Sequence, residues 1–387
     1  MINAKLIAYH DAPDSLFRQG KEKFTGFFPD IDFEFNAPNP EILIFLSGGS
    51  EKEALKFIRH GKFYLLCAFE ENNSWAAATE VKAWLEREGI ANWLIDLNES
   101  HDRQKIEMYA KIHSRLNQLQ GQRLGLIGKV SEWLLNSDVS GETLKKTFGI
   151  RLERIPWSAV PDFGNEPADT EFMEKFGSSK SMDTEKAAQV HSALSTVIRD
   201  LKLDAITMEC FPLVQEESVT ACLSLSHLND AGIPAGCEGD LVSIAGMMLV
   251  KAMTDQIPWM ANLIKVSFDC VRFAHCTAPT ALLDEFHIET HFETGKGTAI
   301  SGSFSAEEVT VFRLNAEFNK AFLAEGRVIS THRSPNACRT QLEVALNRDA
   351  AKLLKHHPLG NHHLVIPGRH DEVLRMMCRL KGIEVIE

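Results

Sequence analysis

The N-terminal part of the chain repeats one plan: an apolar run of strand length, a glycine-bearing or polar turn, then an amphipathic stretch of helical period. "EILIFLSGGSEKEALKFI" and "KFYLLCAFEENNSWAAATEVKAWLEREG" follow it, "ANWLIDLN" leads into a helical stretch from His101 to Gln120, and "RLGLIGKVSEWLL" predicts strand, Gly-Lys turn and helix. Parallel strands need crossover connections, and helices are the usual crossovers, so alternating βα units predict a doubly wound parallel sheet covered on both faces. The glycine turns invite a nucleotide, but "LSGGSEKE" has neither the G-x-G-x-x-G spacing nor the Gly-Lys-Ser/Thr ending of a phosphate loop. It reads as a tight βα turn.

A parallel-sheet unit of this kind accounts for less than half of 387 residues, and 44% hydrophobic residues suffice for a second core. The polar, Pro/Gly-rich stretch from Trp157 to Thr184 is the expected linker, dividing a Rossmann-like α/β domain over 1–160 from a second domain over 161–387. Beyond it come helical stretches and then, from Ile264, short alternating runs such as "IKVSFDCVRFAHC", "FHIETHFE", "GTAISGSFS" and "EEVTVFRLN". Alternation of period two predicts an antiparallel sheet or barrel, making the second domain α+β.

The net charge of -12, with 53 acids and 41 bases, offers no basic track for a phosphate backbone, so nucleic acid is not an expected partner. No signal-peptide pattern opens the chain and no apolar run reaches bilayer length, which predicts a cytoplasmic protein without a membrane partner. Eight cysteines lie far apart without a C-x-x-C pair, as reduced, mostly buried thiols would.

Polar residues in apolar settings carry the chemistry. "AGCEGDLVSIAGMMLVKAM" sets Glu238 and Asp240 at the start of an apolar helix. One acid there is commonly a cap or a dipole partner, and two raise the question of a site. His275 interrupts the apolar strand "DCVRFAHC", and Asn262 in "PWMANLIK" stands 24 positions after Glu238, as a turn residue or an oxygen donor. His362 and His363 in "PLGNHHLVIPGRH" enter a strand side by side, so they must point to opposite faces and only one can serve an interior site. A carboxylate, an amide oxygen and imidazoles together would suit Mn²⁺, Mg²⁺ or a similar divalent ion.

These motifs, from Asp204 to the C-terminus, resemble the C-terminal catalytic region of the L-fucose isomerase and L-arabinose isomerase superfamily. The resemblance lies in a Glu-x-Asp opening an apolar helix, a second ligand position in "W-M-A-N", a histidine in "F-A-H-C" and a histidine pair after a glycine. It implies an aldose–ketose isomerase acting through a cis-enediolate, with 161–387 as the catalytic domain. Glu238 would be metal ligand and acid/base and Asp240 the candidate second acid. Asn262, His275 and His363 would complete a site for Mn²⁺ or another divalent ion, with His362 as the neighbouring possibility. The family pattern has Asp where this chain has Asn262, leaving one fewer anionic ligand. The substrate would be a hexose, deoxyhexose, pentose or acidic sugar, and the assembly a homo-oligomer.

For substrate binding the sequence offers Arg339, Gln341, His362 and Arg369, since a guanidinium grips an anionic group bidentately. His291, Glu293 and Lys296 in "ETHFETGKG" could line a cleft or decorate a hairpin. A catalytically degenerate sugar-binding protein of the same fold is the alternative, with Asn262 as its basis. A zinc hydrolase is disfavoured by the lack of H-E-x-x-H and of Cys/His clusters.

Overall fold

Two compact units, Met1–Arg115 with Met376–Gly382 and Leu116–Arg375 with Ile383–Glu387, make up the computed structural model. It describes residues 1–35, 37–177, 182–331 and 334–386, so positions 178–181 of the expected linker lie outside the described residues. The rest of that linker belongs to the second unit.

The first unit runs β1 (Ile2–Ile7), α1 (Asp14–Phe27), β2 (Phe33–Glu34), β3 (Ile42–Phe45), α2 (Glu51–Leu55), β4 (Tyr64–Ala68), α3 (Ser74–Arg87), β5 (Asn92–Asp96) and α4 (Ser100–Gln118), whose end carries the chain onward. All its strand pairings are parallel, in the order β2-β1-β3-β4-β5. Every residue of β3 and β4 is buried. That explains their continuous rather than alternating apolar sequence, since helices cover both faces of such a sheet. Leu43, Phe45 and Leu66 pack with Ala77, Val81 and Leu85 of α3. "LSGGSEKE" is a βα turn, with Gly49 at φ +71° and the Ser50 hydroxyl donating to the Ser47 carbonyl.

The second unit contains another parallel sheet and an antiparallel barrel. β6 (Arg123–Ile127), α5 (Gly141–Phe148), β7 (Arg151–Ile155), α6 (Thr170–Phe176), α7 (Thr184–Leu201), β8 (Ala205–Met208), α8 (Phe211–Glu217), α9 (Cys222–Asp230) and β9 (Ala235–Gly236) precede α10 (Leu241–Thr254). The parallel order here is β7-β6-β8-β9. Next come β10 (Trp259–Val266), β11 (Cys270–His275), β12 (Leu283–Glu289), β13 (Ala299–Phe304), β14 (Glu308–Leu314), β15 (Lys320–Ser330), β16 (Thr340–Ala345), α11 (Arg348–His356), β17 (His362–Pro367), α12 (Asp371–Leu380) and β18 (Glu384–Ile386). The order β14-β17-β10-β11-β16-β15 closes through β15–β14, with β18 added parallel to β15 and β12–β13 forming a separate hairpin. The mixed architecture is the expected one: parallel sheets with helices, then an antiparallel barrel.

Alternation along the barrel strands sorts their side chains. Trp259 and Ala261, Val271 and Phe273, Val309 and Val311, Leu342 and Val344 belong to one buried core with Val365. α10 packs against β17 and β14. Its approach is close at Gly246, where a Cβ would lie 2.9 Å from Leu364. Buried along nearly its whole length, α10 is apolar all round.

Two local expectations are corrected. "KVSEWLL" is a succession of turns rather than a helix, because its backbone is tied to the Glu238 loop: the Ser131 N–H donates to the Glu238 carbonyl and the Leu134 N–H to the Ser131 carbonyl. "PWMANLIK" is barrel strand rather than turn, its early residues Trp259 to Ala261 being fully buried.

Candidate functional site

The site begins with two successive residues in left-handed backbone, Glu238 at φ +60° and Gly239 at φ +69°. A Cβ on Gly239 would meet the Lys129 carbonyl oxygen at 2.4 Å, so the "KVSEWLL" turns can pass only over a glycine. The reversed chain brings Asp240 to the N-cap of α10, where its carboxylate accepts from the Ser243 N–H at 2.7 Å. Glu238 is left at the side of the helix start, with its Oε2 accepting from the Trp133 Nε1–H at 2.6 Å.

Asp240 is fully buried and acts beneath the surface of the site. It accepts from the Ser137 hydroxyl at 3.0 Å, the Ser243 hydroxyl at 2.8 Å and His362 Nδ1 at 2.9 Å, with the Arg313 guanidinium at 3.6 Å. Burial would raise its pKa, but the His362 hydrogen bond and the Arg313 charge outweigh it and hold the carboxyl well below the usual range. Arg313 is itself buried and donates to the His362 carbonyl at 2.6 Å, the Ser243 hydroxyl at 3.1 Å and the Ser137 hydroxyl at 3.3 Å.

This network sets the tautomer of His362. An ionised carboxylate only accepts, so in the neutral ring Nδ1 carries the proton and Nε2 presents a lone pair. That Nε2 is buried without a hydrogen-bond partner, 3.8 Å from Glu238 Oε1. His275 is held the opposite way. The Cys276 N–H donates to its Nδ1 at 3.0 Å and the Thr277 hydroxyl lies 2.9 Å from the same nitrogen, so the hydrogen of the neutral ring sits on Nε2. Burial, then the neighbouring His362 and His291, push His275 well below the usual imidazole range. Its Nε2, also without a partner, is 3.9 Å from Glu238 Oε1.

Glu238, His275 and His362 thus converge, with one ligand atom of each within 4.8 Å of the others. The orphaned His362 Nε2 beside the Glu238 carboxylate fits a divalent ion in its donor chemistry, its second nitrogen being anchored by Asp240, whereas His275 turns an N–H toward the group. Asn262 pairs in register with His362 and so shares its face of the barrel wall, and its side-chain oxygen accepts from Asn361 Nδ2. His363 points the other way, against Phe273 and Phe322 in the barrel interior. Its Nδ1 donates to the Asn361 carbonyl at 2.8 Å, and burial, with the Arg313 charge, lowers it to about 3.

Of the residues expected to bind substrate, His362 stands at this group, while Arg339, Gln341 and Arg369 are engaged elsewhere. Arg339 donates to the Thr290 carbonyl at 2.8 Å and pairs with Glu289 at 3.5 Å. Gln341 donates to the Ser334 and Cys338 carbonyls and accepts from the Ser334 N–H. Arg369 is an exposed surface partner of Glu308.

Sequence reasoning missed Arg313, Trp133 and the part played by Ser137. The single charge within "VTVFRL" was the signal for Arg313. Trp133 lay in a segment read as helix, and its ring instead packs on Phe211, which in turn meets His291. Glu293 is raised above its usual range, by burial first and then by the Glu238 charge, so a second carboxyl stands near the group.

A closed barrel beside a parallel sheet carries a carboxylate and two imidazoles between β9 and the barrel wall, and the chain is similar to a sugar isomerase. That relative is the sulfoquinovose isomerase of Alkalicoccus urumqiensis, 20% identical over 312 aligned residues, which span 75% of this chain and 70% of the relative. No family model matches the chain. Among the described residues no helix is long and apolar enough to cross a membrane.

Proposed function

We propose that this chain is an aldose–ketose isomerase of the fucose/arabinose isomerase type, acting on a hexose or related sugar with Mn²⁺ or another divalent ion. The observation that carries the reading is the lone pair of His362 Nε2, oriented by Asp240 and left without a partner beside Glu238. Glu238 and His362 would hold the ion, with Asn262 able to add its amide oxygen if it turns from Asn361. When bound, the ion would supply Lewis-acid polarisation of the sugar carbonyl.

The remaining steps belong to the chain's own side chains. Isomerisation removes a proton from the carbon beside the carbonyl and returns it to the neighbouring carbon, passing through a cis-enediolate. Glu238 is the proton carrier, because of the two carboxylates that meet His362 it is the one not sealed inside the fold. His275, with its hydrogen on Nε2, donates to a sugar oxygen as negative charge develops there. Glu293, an exposed carboxyl raised above its usual range, is the second acid, and Asp240 serves to orient His362. Trp133, whose ring stands edge-to-face with Phe211, offers an aromatic surface beside Glu238 for the sugar.

The relative's name favours a sulfosugar over a neutral hexose as the first substrate to try. The test is a panel of aldoses and ketoses, sulfoquinovose included, with Mn²⁺, Mg²⁺, Co²⁺ and Zn²⁺ each added to metal-free protein in D₂O. Ketose formation with deuterium entering at C1 of the ketose, or at C2 of the aldose re-formed from it, is the expected result. Sugar binding without any exchange across the panel would replace this reading with that of a sugar-binding protein.

A further inference from the structure

A second set of ligand atoms gathers in another part of the second unit. Asp169 caps α6, His191 lies in α7 and His227 in α9, and one ligand atom of each lies within 4.8 Å of the other two. Both histidines are buried and Asp169 is half-buried. The two rings meet edge to face with centroids 4.7 Å apart, Phe172 stacks on His191, and Phe172 and Phe176 stand edge-on to His227.

Packing alone does not account for this arrangement. Nδ1 of His191 and Nδ1 of His227 are both buried without a hydrogen-bond partner. Each such atom carries a desolvation cost that a phenylalanine in the same aromatic cluster would avoid. Burial above all, then for His191 the neighbouring His227 and for His227 the Lys175 charge, lowers both imidazoles, His191 to about 4. Lys175 is paired with Asp230 at 2.5 Å, and Asp169 uses Oδ1 to accept from the Phe172 N–H at 2.8 Å, which leaves Oδ2 for an ion.

We propose that Asp169, His191 and His227 bind a zinc ion, or a divalent ion of similar softness, through two imidazole nitrogens and one carboxylate oxygen, with water in the fourth position. Two nitrogens and an oxygen are a donor set that zinc accepts in tetrahedral geometry. Bound there, the ion ties the N-cap of α6 to α7 and α9. It is separate from the Glu238 group and does not depend on the isomerase reading.

The experiment is equilibrium dialysis of metal-free protein against Zn²⁺, read by elemental analysis and by the melting temperature. Asp169→Asn keeps an N-cap acceptor while losing the anionic ligand, and His191→Gln removes an imidazole. A Glu238→Gln/His362→Gln double variant identifies any zinc held at the other group. Wild type is expected to bind one equivalent more than Asp169→Asn and His191→Gln, which should hold that equivalent more than ~10-fold more weakly. The double variant should retain it. Zinc should raise the melting temperature of wild type and of the double variant more than that of the other two. Equal stoichiometry and affinity in wild type and folded Asp169→Asn would overturn the proposal, and that variant decides the matter if His191→Gln does not fold.

Discussion

The two units bury different kinds of polar group. In the first, the buried polar residues among those described are Ser47, Ser50, Ser74 and Asp102, hydroxyls bonded to backbone groups and one acid that accepts from the Asp96 N–H and pairs with Lys105. The second buries Asp240 and Arg313 with His191, His227, His275, His291, His362 and His363. Hydroxyls are satisfied cheaply by nearby backbone, whereas a buried ionisable group needs partners drawn from several elements. A core that only has to hold a sheet together does not need such groups. Their concentration in the second unit is the physical argument for seeking the chemistry there.

The largest effect is expected at Glu238. Glu238→Gln keeps the shape and the Trp133 hydrogen bond but removes the base, and should lower kcat by about 10²–10⁴-fold with an unchanged melting temperature. An active Glu238→Gln enzyme would move the proton transfer to another residue, Glu293 first.

The next pair of variants sets the units against each other. Asp240→Ala leaves Arg313 buried without its carboxylate and should destabilise the protein by about 3–5 kcal/mol, read from denaturant unfolding, and weaken divalent-ion binding at His362. Leu66→Ala, in the sheet core of the first unit, should cost a similar ~2–5 kcal/mol by leaving a cavity, yet leave ion affinity untouched. If Leu66→Ala also weakened the ion, the division of labour between the units would fail.

His363 gives a smaller effect that depends on pH. Its folded value of about 3 lies below the ordinary imidazole value, so the unfolded chain takes up the proton first. Stability tied to this residue is full above about pH 6.5 and falls as the pH drops toward about 3, by about 1.4 kcal/mol per pH unit. His363→Leu should flatten that part of the acid arm in metal-free protein, whereas His362→Gln should abolish ion binding. Smallest of all, Trp133→Phe removes one donor to Glu238 while keeping an aromatic ring. It should change kcat/KM by the equivalent of roughly 0.5–1.5 kcal/mol, measured at fixed metal concentration.

Much of the frame was legible in the chain. Continuous apolar runs announced β3 and β4, and period-two alternation announced the barrel strands, because both patterns are local consequences of which faces are buried. Glu238 and Asp240 were visible as acids at the mouth of an apolar helix, although their separate roles were not. The "KVSEWLL" segment has helical composition, but docking onto the Glu238 loop overrode that local preference.

The sequence alone determined the βα alternation, the antiparallel second part and the fact that His362 and His363 must face opposite ways, since a strand's side chains alternate whatever surrounds it. Only the tertiary structure decided which of the two meets Glu238, because that depends on which side of the barrel wall α10 covers. It also decided that Trp133, 105 positions from Glu238, would hold it, and that Arg313 would anchor Asp240. Contacts at such separations carry no periodic trace in the chain, and they exist only once the barrel has closed and α10 has packed against it.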